Sequence, residues 1–314
     1  MEIVRFRDDR TPDKPVVATI GNFDGMHLGH RALVDSVLKE AQIRQAVAAL
    51  VTFDPHPQEV LHPDKTVSKI CTPEHRVKLF EEAGLDIVHI IPFTREFSCL
   101  SPEEFVQRFL MEHFNLKQLV IGHDFHFGKN RAGNAERLKQ IGQAQGFDVQ
   151  KVSAVEIGGQ TVSSTLIRKL IQEGRFKEIP EYLGRFFSIY GPISHGDHRG
   201  RTLGLPTANI YPNTSLAIPN GVYVTEIHFP KDIRYGITNI GVKPTFGKNQ
   251  FSVETLIFEF QQEIYGNFIE VRPLKFLRSE TTFPDAEALR KQIHQDMEQA
   301  HGFLDQQIPG WRRT

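Results

Sequence analysis

Two histidines three residues apart, His27 and His30, sit inside a glycine-rich stretch, Gly21-Asn22-Phe23-Asp24-Gly25-Met26-His27-Leu28-Gly29-His30. An apolar run, Val16 to Ile20, precedes it, and an amphipathic segment begins near Gly29. The pattern predicts a strand, a turn and a helix. Glycines let a backbone approach a bulky anion, and a helix N-terminus offers unpaired N–H groups and a favourable dipole. His27 and His30 add two donors at the same place. Such a site suits attack on a nucleotide phosphate, where stabilising developing negative charge is most of the task. Gly21, Asn22, Phe23 and Gly25 become nucleotide-binding positions. No Gly-Lys-Ser/Thr follows, so this is not a Walker A loop. The competing reading is a surface turn with two incidental histidines.

Three further segments belong with that turn. Thr52-Phe53-Asp54-Pro55-His56-Pro57 ends a second apolar run, and Gly122-His123-Asp124-Phe125-His126-Phe127-Gly128 follows another. Both place polar groups at the same sheet edge, although His56 and His126 taken singly read as structural or solvent-facing. Ser163-Ser164-Thr165-Leu166-Ile167-Arg168 resembles a hydroxyl-rich helix start with Arg168 one turn inside. Ser164, Thr165 and Arg168 suit the β- and γ-phosphates of ATP, and simple N-capping is the alternative.

The second half carries its own constellation. Gly200, Arg201 and Gly204 precede Pro206-Thr207-Ala208-Asn209, which reads either as a phosphate flap beside two oxygen ligands or as a loop entering a strand. Magnesium prefers hard oxygen donors and keeps waters and nucleotide phosphates, so Thr207 and Asn209 could suffice. In Ser252–Phe260, strict alternation puts Glu254 on a face with Leu256, Phe258 and Phe260, and Glu259 on the other. A carboxylate there is costly unless paired or used. Glu254 reads as a general base for a hydroxyl, or as a strand-end glutamate that escapes to solvent.

The elements that must position these residues are legible. Strands are predicted at 16–20, 46–53, 86–91, 118–121 and 148–152, with helices between them. Thr72-Pro73-Glu74 opens one helix, which ends before Gly84. Ser101-Pro102-Glu103-Glu104 is a capping-box start, followed by a core stripe of Phe105, Phe109 and Leu110. Alternating strands and helices predict a parallel sheet with ligands at the strands' carboxyl ends. From 187 to 277 the chain reads as five short strands, at 187–193, 221–229, 235–240, 252–260 and 269–276. A small antiparallel barrel follows from them, with one helix after it over about 284–300. The expected domains are 1–180 and 181–314.

Composition narrows the class. With 314 residues, two domains are the prior, and a net charge of -1 argues against broad nucleic-acid binding. Cys71 and Cys99 are too few for a disulfide framework or a zinc site. The start of the chain lacks a signal-peptide pattern, and no apolar run reaches membrane-spanning length. A cytoplasmic protein is expected, a monomer or weak homo-oligomer with small-molecule partners, no nucleic acid and no membrane.

The ordered motifs resemble a known family. Gly-x-Phe-Asp-Gly-x-His-x-Gly-His, Phe-Asp-Pro-His-Pro, Gly-x-Asp-Phe-x-Phe-Gly and Ser-Ser-Thr-x-Ile-Arg resemble the adenylyltransferase module of bifunctional riboflavin kinase/FAD synthetases. Pro206–Asn209, Asn239–Gly247, Val253-Glu254-Thr255, Tyr265-Gly266 and Phe276–Glu280 resemble the riboflavin kinase module. The resemblance implies a His-x-Gly-His nucleotidyltransferase-like, Rossmann-type α/β domain before a six-stranded Greek-key barrel. It implies in-line attack of FMN phosphate on the α-phosphorus of ATP, with His27 and His30 stabilising the transition state. Ser164, Thr165 and Arg168 then hold pyrophosphate, with Asp124 and Phe125 near the flavin or adenine and Asp54 at the flavin. In the kinase module it implies Thr207 and Asn209 for Mg2+ and ATP, with Gly200 and Arg201 at the nucleotide. Glu254 is then the base on the ribityl 5′-hydroxyl, and Arg278 lies near the flavin. Riboflavin, FMN and FAD are the implied substrates and products. His126 stands where the family commonly has arginine, which implies a weaker hold on flavin phosphate near neutral pH.

Overall fold

Every residue of Val16–Ile20 is buried, as a strand covered on both faces requires. Val16, Ala18 and Ile20 face one cluster with Phe105, Phe109 and Leu110, whereas Val17 faces another with Leu33, Val34 and Val37. The period of two along a strand thus sorts one apolar run between two helical layers. This computed structural model describes residues 1–5, 14–65, 67–194, 206–245, 248–260, 262 and 264–313. They divide into two compact units, residues 1–67 with 76–163, and residues 68–75 with 164–314.

The first unit is built on β1 (Glu2–Arg5), β2 (Val16–Ile20), β3 (Val47–Asp54), β4 (Ile87–Pro92), β5 (Leu116–Ile121) and β6 (Asp148–Lys151). They form a six-stranded sheet in the order β1-β4-β3-β2-β5-β6. Every pairing is parallel. Its helices are α1 (Leu28–Arg44), α2 (Pro57–Leu61), α3 (Pro73–Glu82), α4 (Arg95–Ser98), α5 (Pro102–Val106, continued by a π-turn over Gln107–Met111) and α6 (Ala135–Gln145). A two-residue hairpin, β7 (Glu156–Ile157) and β8 (Gln160–Thr161), ends the unit. Five of the strands match the sequence reading to within two residues. The edge strand β1 lies outside it, because four residues with Val4 alone buried carry no apolar run. Ser101 and Glu104 form the expected capping box, each side chain bonding the other's backbone N–H.

The second unit opens with α7 (Ser164–Gln172) and α8 (Ile179–Leu183). Its strands are β9 (Ile189–Pro192), β10 (Ala208–Ile210), β11 (Gly221–Phe229), β12 (Asp232–Thr245), β13 (Lys248–Ile257) and β14 (Phe268–Arg278), and α9 (Ala286–Gln307) follows. The strands pair antiparallel in the order β10-β13-β12-β11-β14-β9, and a Ser194–Asn209 bridge joins the two ends. The result is a nearly closed six-stranded barrel. The strand missing from the sequence count is β10, whose Ala208–Ile210 lies in the Pro-Thr-Ala-Asn motif itself and is too short to show a period. Inside, the Thr225, Thr238 and Thr255 hydroxyls hydrogen-bond in a chain at 2.8 and 3.0 Å, which satisfies these three buried groups. Outside, Leu256 and Phe258 pack with Ala300 and Leu304 of α9.

Candidate functional sites

In the first sheet the chain winds from β2 through β3 and β4 towards β1, then crosses to β5 on the other side of β2. That reversal opens a crevice at the carboxyl ends of β2 and β5, where α/β sheets bind ligands. Gly21–His30 leaves the end of β2 and Gly122–Gly128 leaves the end of β5. Asp54, exposed, closes β3 beside them.

The turn itself is tightly made. Phe23, Gly25 and Met26 all have positive φ (48°, 84° and 43°), yet only one is glycine. Left-handed backbone at two side-chain-bearing residues costs of order 1 kcal/mol each and persists where packing enforces it. Phe23 is fully buried, with its ring edge-on to Phe80 at 6.3 Å. His27 is the N-cap of α1, its Nδ1 accepting a hydrogen bond from the backbone N–H of His30 at 3.2 Å. An accepting Nδ1 leaves the proton of the neutral ring on Nε2. The two imidazoles stack with centroids 3.6 Å apart and an interplanar angle of 15°. Gly29 makes this possible, because a Cβ there would lie 3.1 Å from the His27 ring and 3.4 Å from Val162 O. Residues 162–163 therefore arrive beside the histidines. Ser164, Thr165 and Arg168 lie on α7 in the second unit, where Ile167, Leu170 and Ile171 form its buried face.

His56 is a capping residue: its Nδ1 accepts from Gln58 N–H and its own N–H donates to Glu59. In the loop after β5, Phe127 and Gly133 exchange backbone hydrogen bonds, and the Lys129 N–H donates to Leu100 O. A Cβ on Gly128 would meet Pro102, and one on Gly133 would meet the Phe127 ring, so the glycines let the loop pack down. Asp124 is left exposed and Phe125 half-buried. Arg131, which the sequence reading passed over, brings Nη2 within 3.2 Å of His126 Nδ1. It puts a guanidinium beside His126, the position where the resemblance implies an arginine.

In the barrel a single rung gathers the polar residues. Asn209 on β10 faces Glu254 on β13, and Glu254 faces Asn239 on β12. Asn239 faces Val222 on β11, which faces Arg278 on β14. Directly opposed residues share a face of the sheet, so this rung lies on the outer face with Leu256 and Phe258. The alternation read for Glu254 agrees with that placement. Asn209 is buried, Glu254 and Thr207 are half-buried, and Asn209 Nδ2 donates to Thr207 O at 3.2 Å. Gly200 and Arg201 lie outside the described residues.

Arg278 is held by a residue that no motif contains. Asp296, 1% exposed, accepts from its Nε (2.9 and 3.1 Å) and Nη2 (2.8 Å). Nη1 donates to Ser279 O and Thr281 Oγ1, each at 3.1 Å. The sequence did carry a signal for Asp296, an acid three residues from Ile293 and four from Ala300 on the packed stripe of α9.

These features define the class: a nucleotidyltransferase-type α/β unit with a His-x-Gly-His turn, joined to an antiparallel kinase-type barrel. Residues 9–166 match the FAD synthetase family model and residues 183–304 the riboflavin kinase model. Curated bifunctional riboflavin kinase/FMN adenylyltransferases are similar throughout. The one from Buchnera aphidicola is 36% identical over 90% of this chain and 91% of its own. The Escherichia coli K12 and Listeria monocytogenes enzymes are 32% and 35% identical, each over 94% of this chain and 95% of theirs. A crystal structure described as a macrolide-efflux protein from Streptococcus pneumoniae shares the fold, at 30% identity and a TM-score of 0.76. It covers 96% of this chain and 99% of that one. No helix among the described residues is long and apolar enough to cross a membrane. The chain belongs to the bifunctional riboflavin kinase/FMN adenylyltransferase family.

Proposed function

We propose that the family's two reactions are divided along the chain, with residues 1–180 carrying adenylyl transfer and 181–314 carrying phosphorylation. That cut falls in the interval, 167–182, between the two family matches. In adenylyl transfer an FMN phosphate oxygen attacks the α-phosphorus of ATP, the α–β bridge bond breaks and pyrophosphate leaves. His27 and His30 stabilise the charge that builds on the α-phosphate oxygens, with Gly21, Asn22, Phe23 and Gly25 shaping the nucleotide's seat. Ser164, Thr165 and Arg168 hold the leaving pyrophosphate, and Asp54, Asp124 and Phe125 bind the flavin. The observation that supports this is the stacked histidine pair at the sheet's switch point, with His27 fixed in one tautomer.

In phosphorylation Glu254 takes the proton of the ribityl 5′-hydroxyl as its oxygen attacks the γ-phosphorus, and ADP leaves. A base so placed is worth roughly 10²–10⁴-fold in rate. The rung that sets Glu254 beside Asn209 supports this assignment. Thr207 and Asn209 fit magnesium: their donors are hard oxygens, and Asn209 spends its Nδ2 on Thr207 O, which leaves Oδ1 as the side chain's metal-ligating atom. Bound there, magnesium would neutralise charge on the nucleotide phosphates. Gly200 and Arg201 belong to the same nucleotide seat, and Arg278 to the flavin end. A cytoplasmic monomer or weak homo-oligomer completes the reading.

A chromatographic time course with riboflavin, ATP and magnesium tests it. The unmodified chain makes FMN and then FAD. His27→Ala stops at FMN, whereas Glu254→Ala makes little from riboflavin yet converts supplied FMN to FAD. An unmodified chain that stops at FMN would sink the adenylyltransferase assignment.

A further inference from the structure

Glu280 lies two residues past the end of β14, in an exposed turn, yet its carboxylate is not adrift. Oε1 accepts a hydrogen bond from Asn239 Nδ2 at 3.2 Å. The carboxylate also fills the space above Gly241, where any Cβ would overlap it. A side chain in place of that glycine hydrogen would expel Glu280 from the face of β12. The turn is aimed from its other end by Arg278, anchored on Asp296, Ser279 O and Thr281 Oγ1, with the Phe283 ring 5.6 Å from its guanidinium carbon. Most of the Arg278 donors are thus spent within the chain. Its geometry is that of an anchor for the turn, and the group the turn presents is Glu280.

Asn239 is the direct cross-strand neighbour of Glu254. Neighbouring strands lie about 4.8 Å apart, so the Glu280 carboxylate stands roughly one to two strand spacings from the Glu254 position, on the same face. A carboxylate accepts up to about four hydrogen bonds, and Asn239, a neutral amide, takes one without cancelling the charge. A fixed anionic acceptor beside a base that must meet a terminal hydroxyl suits a chain of neighbouring hydroxyls. It suits a phosphate poorly.

We infer that Glu280 is a substrate-binding residue of the kinase site, accepting hydrogen bonds from the secondary hydroxyls of the ribityl chain and so holding the 5′-hydroxyl at Glu254. This rests on the assignment of Glu254 as the base.

The test uses the full chain carrying Glu280→Gln or Glu280→Ala, with Glu254→Gln in parallel. FMN formation is measured against riboflavin at saturating ATP. Binding of riboflavin and of lumiflavin, which lacks the polyol, is followed by flavin fluorescence. Hydrogen bonds to charged groups are strong, so Glu280→Gln should raise the riboflavin KM about tenfold or more and Glu280→Ala further, with kcat within about threefold. Riboflavin binding weakens in step and lumiflavin binding does not move. FAD formation from supplied FMN stays at the unmodified rate, and the retained kinase kcat reports an intact barrel. An unmoved riboflavin KM in Glu280→Gln overturns the inference alone, provided Glu254→Gln is inactive. Equal weakening for lumiflavin also overturns it, by assigning Glu280 to the fold of the pocket. An active Glu254→Gln chain overturns the base assignment and this inference together.

Discussion

The smallest residue in the histidine turn is as constrained as the histidines. Gly29 stands where a Cβ would come within 3.1 Å of the His27 ring. Gly29→Ala therefore shifts that ring by a few tenths of an ångström against the His30 N–H that fixes its tautomer. A misplacement of about 1 Å in a positioned group costs up to about 10²-fold in rate. A shift of a few tenths of that size should lower FAD formation from FMN by up to about tenfold in this variant while FMN formation from riboflavin holds, both read as initial rates; equal loss of both would point to misfolding instead. The turn was legible in the sequence because its chemistry is local: strand, glycines, histidines and helix follow one another. Asn239, Glu280 and Asp296 were not, because each gains its meaning from a partner far along the chain. Asn239 and Glu280 lie in recognisable motifs, but only the register of β12 against β13 gives them a role.

At the scale of elements, two acids on α9 do different work. Asp285 caps the helix, its Oδ1 accepting from Ala288 N–H at 2.8 Å. Asp285→Ala should cost about 1 kcal/mol of barrel stability by denaturant titration. Asp296→Ala leaves the Arg278 guanidinium without its buried partner and should cost about 3 kcal/mol or more. A smaller loss from Asp296→Ala than from Asp285→Ala would show that the ion pair does not hold α9 to β14. A second group of charges lies on β11 and β14. His228, Arg272 and Tyr235 surround Glu226. The hydrogen bond from His228, then the nearby positive charges, hold the Glu226 carboxyl below its ordinary value of 4.5 against the opposing effect of burial. A lowered folded-state value means stability that is present above about pH 4.5 and lost as pH falls through the depressed value. Melting from pH 7 down to 3 should therefore show the unmodified chain losing more Tm than Glu226→Gln; parallel losses would refute the linkage. Strand β10 shows why the barrel was undercounted from sequence. Three residues display no alternation, and β10 is defined by its ladder with β13 rather than by its own pattern.

Across the whole molecule, a boundary drawn along the sequence has to be a single cut, and the chain does not obey one. Residues 68–75, between α2 and the body of α3, group with the barrel. Lys69 N–H donates to Ser215 O, Ala217 N–H donates to Lys69 O, and the Thr72 hydroxyl donates to Tyr190 O at 2.6 Å. Composition could not reveal this, because those bonds join residues separated by more than a hundred positions. The two reactive clusters are nevertheless each assembled from one unit's own strands: the histidine pair from β2 and its turn, the Glu254 rung from β10 through β14. Each reaction should then survive loss of the other's catalytic group. An equimolar mixture of His27→Ala and Glu254→Ala chains, neither of which makes FAD from riboflavin, should recover FAD synthesis, because FMN made by one chain is substrate for the other. FMN released into solution must first build up towards the KM of the adenylyl-transfer site, so FAD should appear after a lag that shortens as total protein rises. A mixture that makes FMN but no FAD, while Glu254→Ala alone still adenylylates added FMN, would mean that FMN does not leave the chain that made it. Recovery without a lag would mean transfer between chains in a complex rather than through free solution.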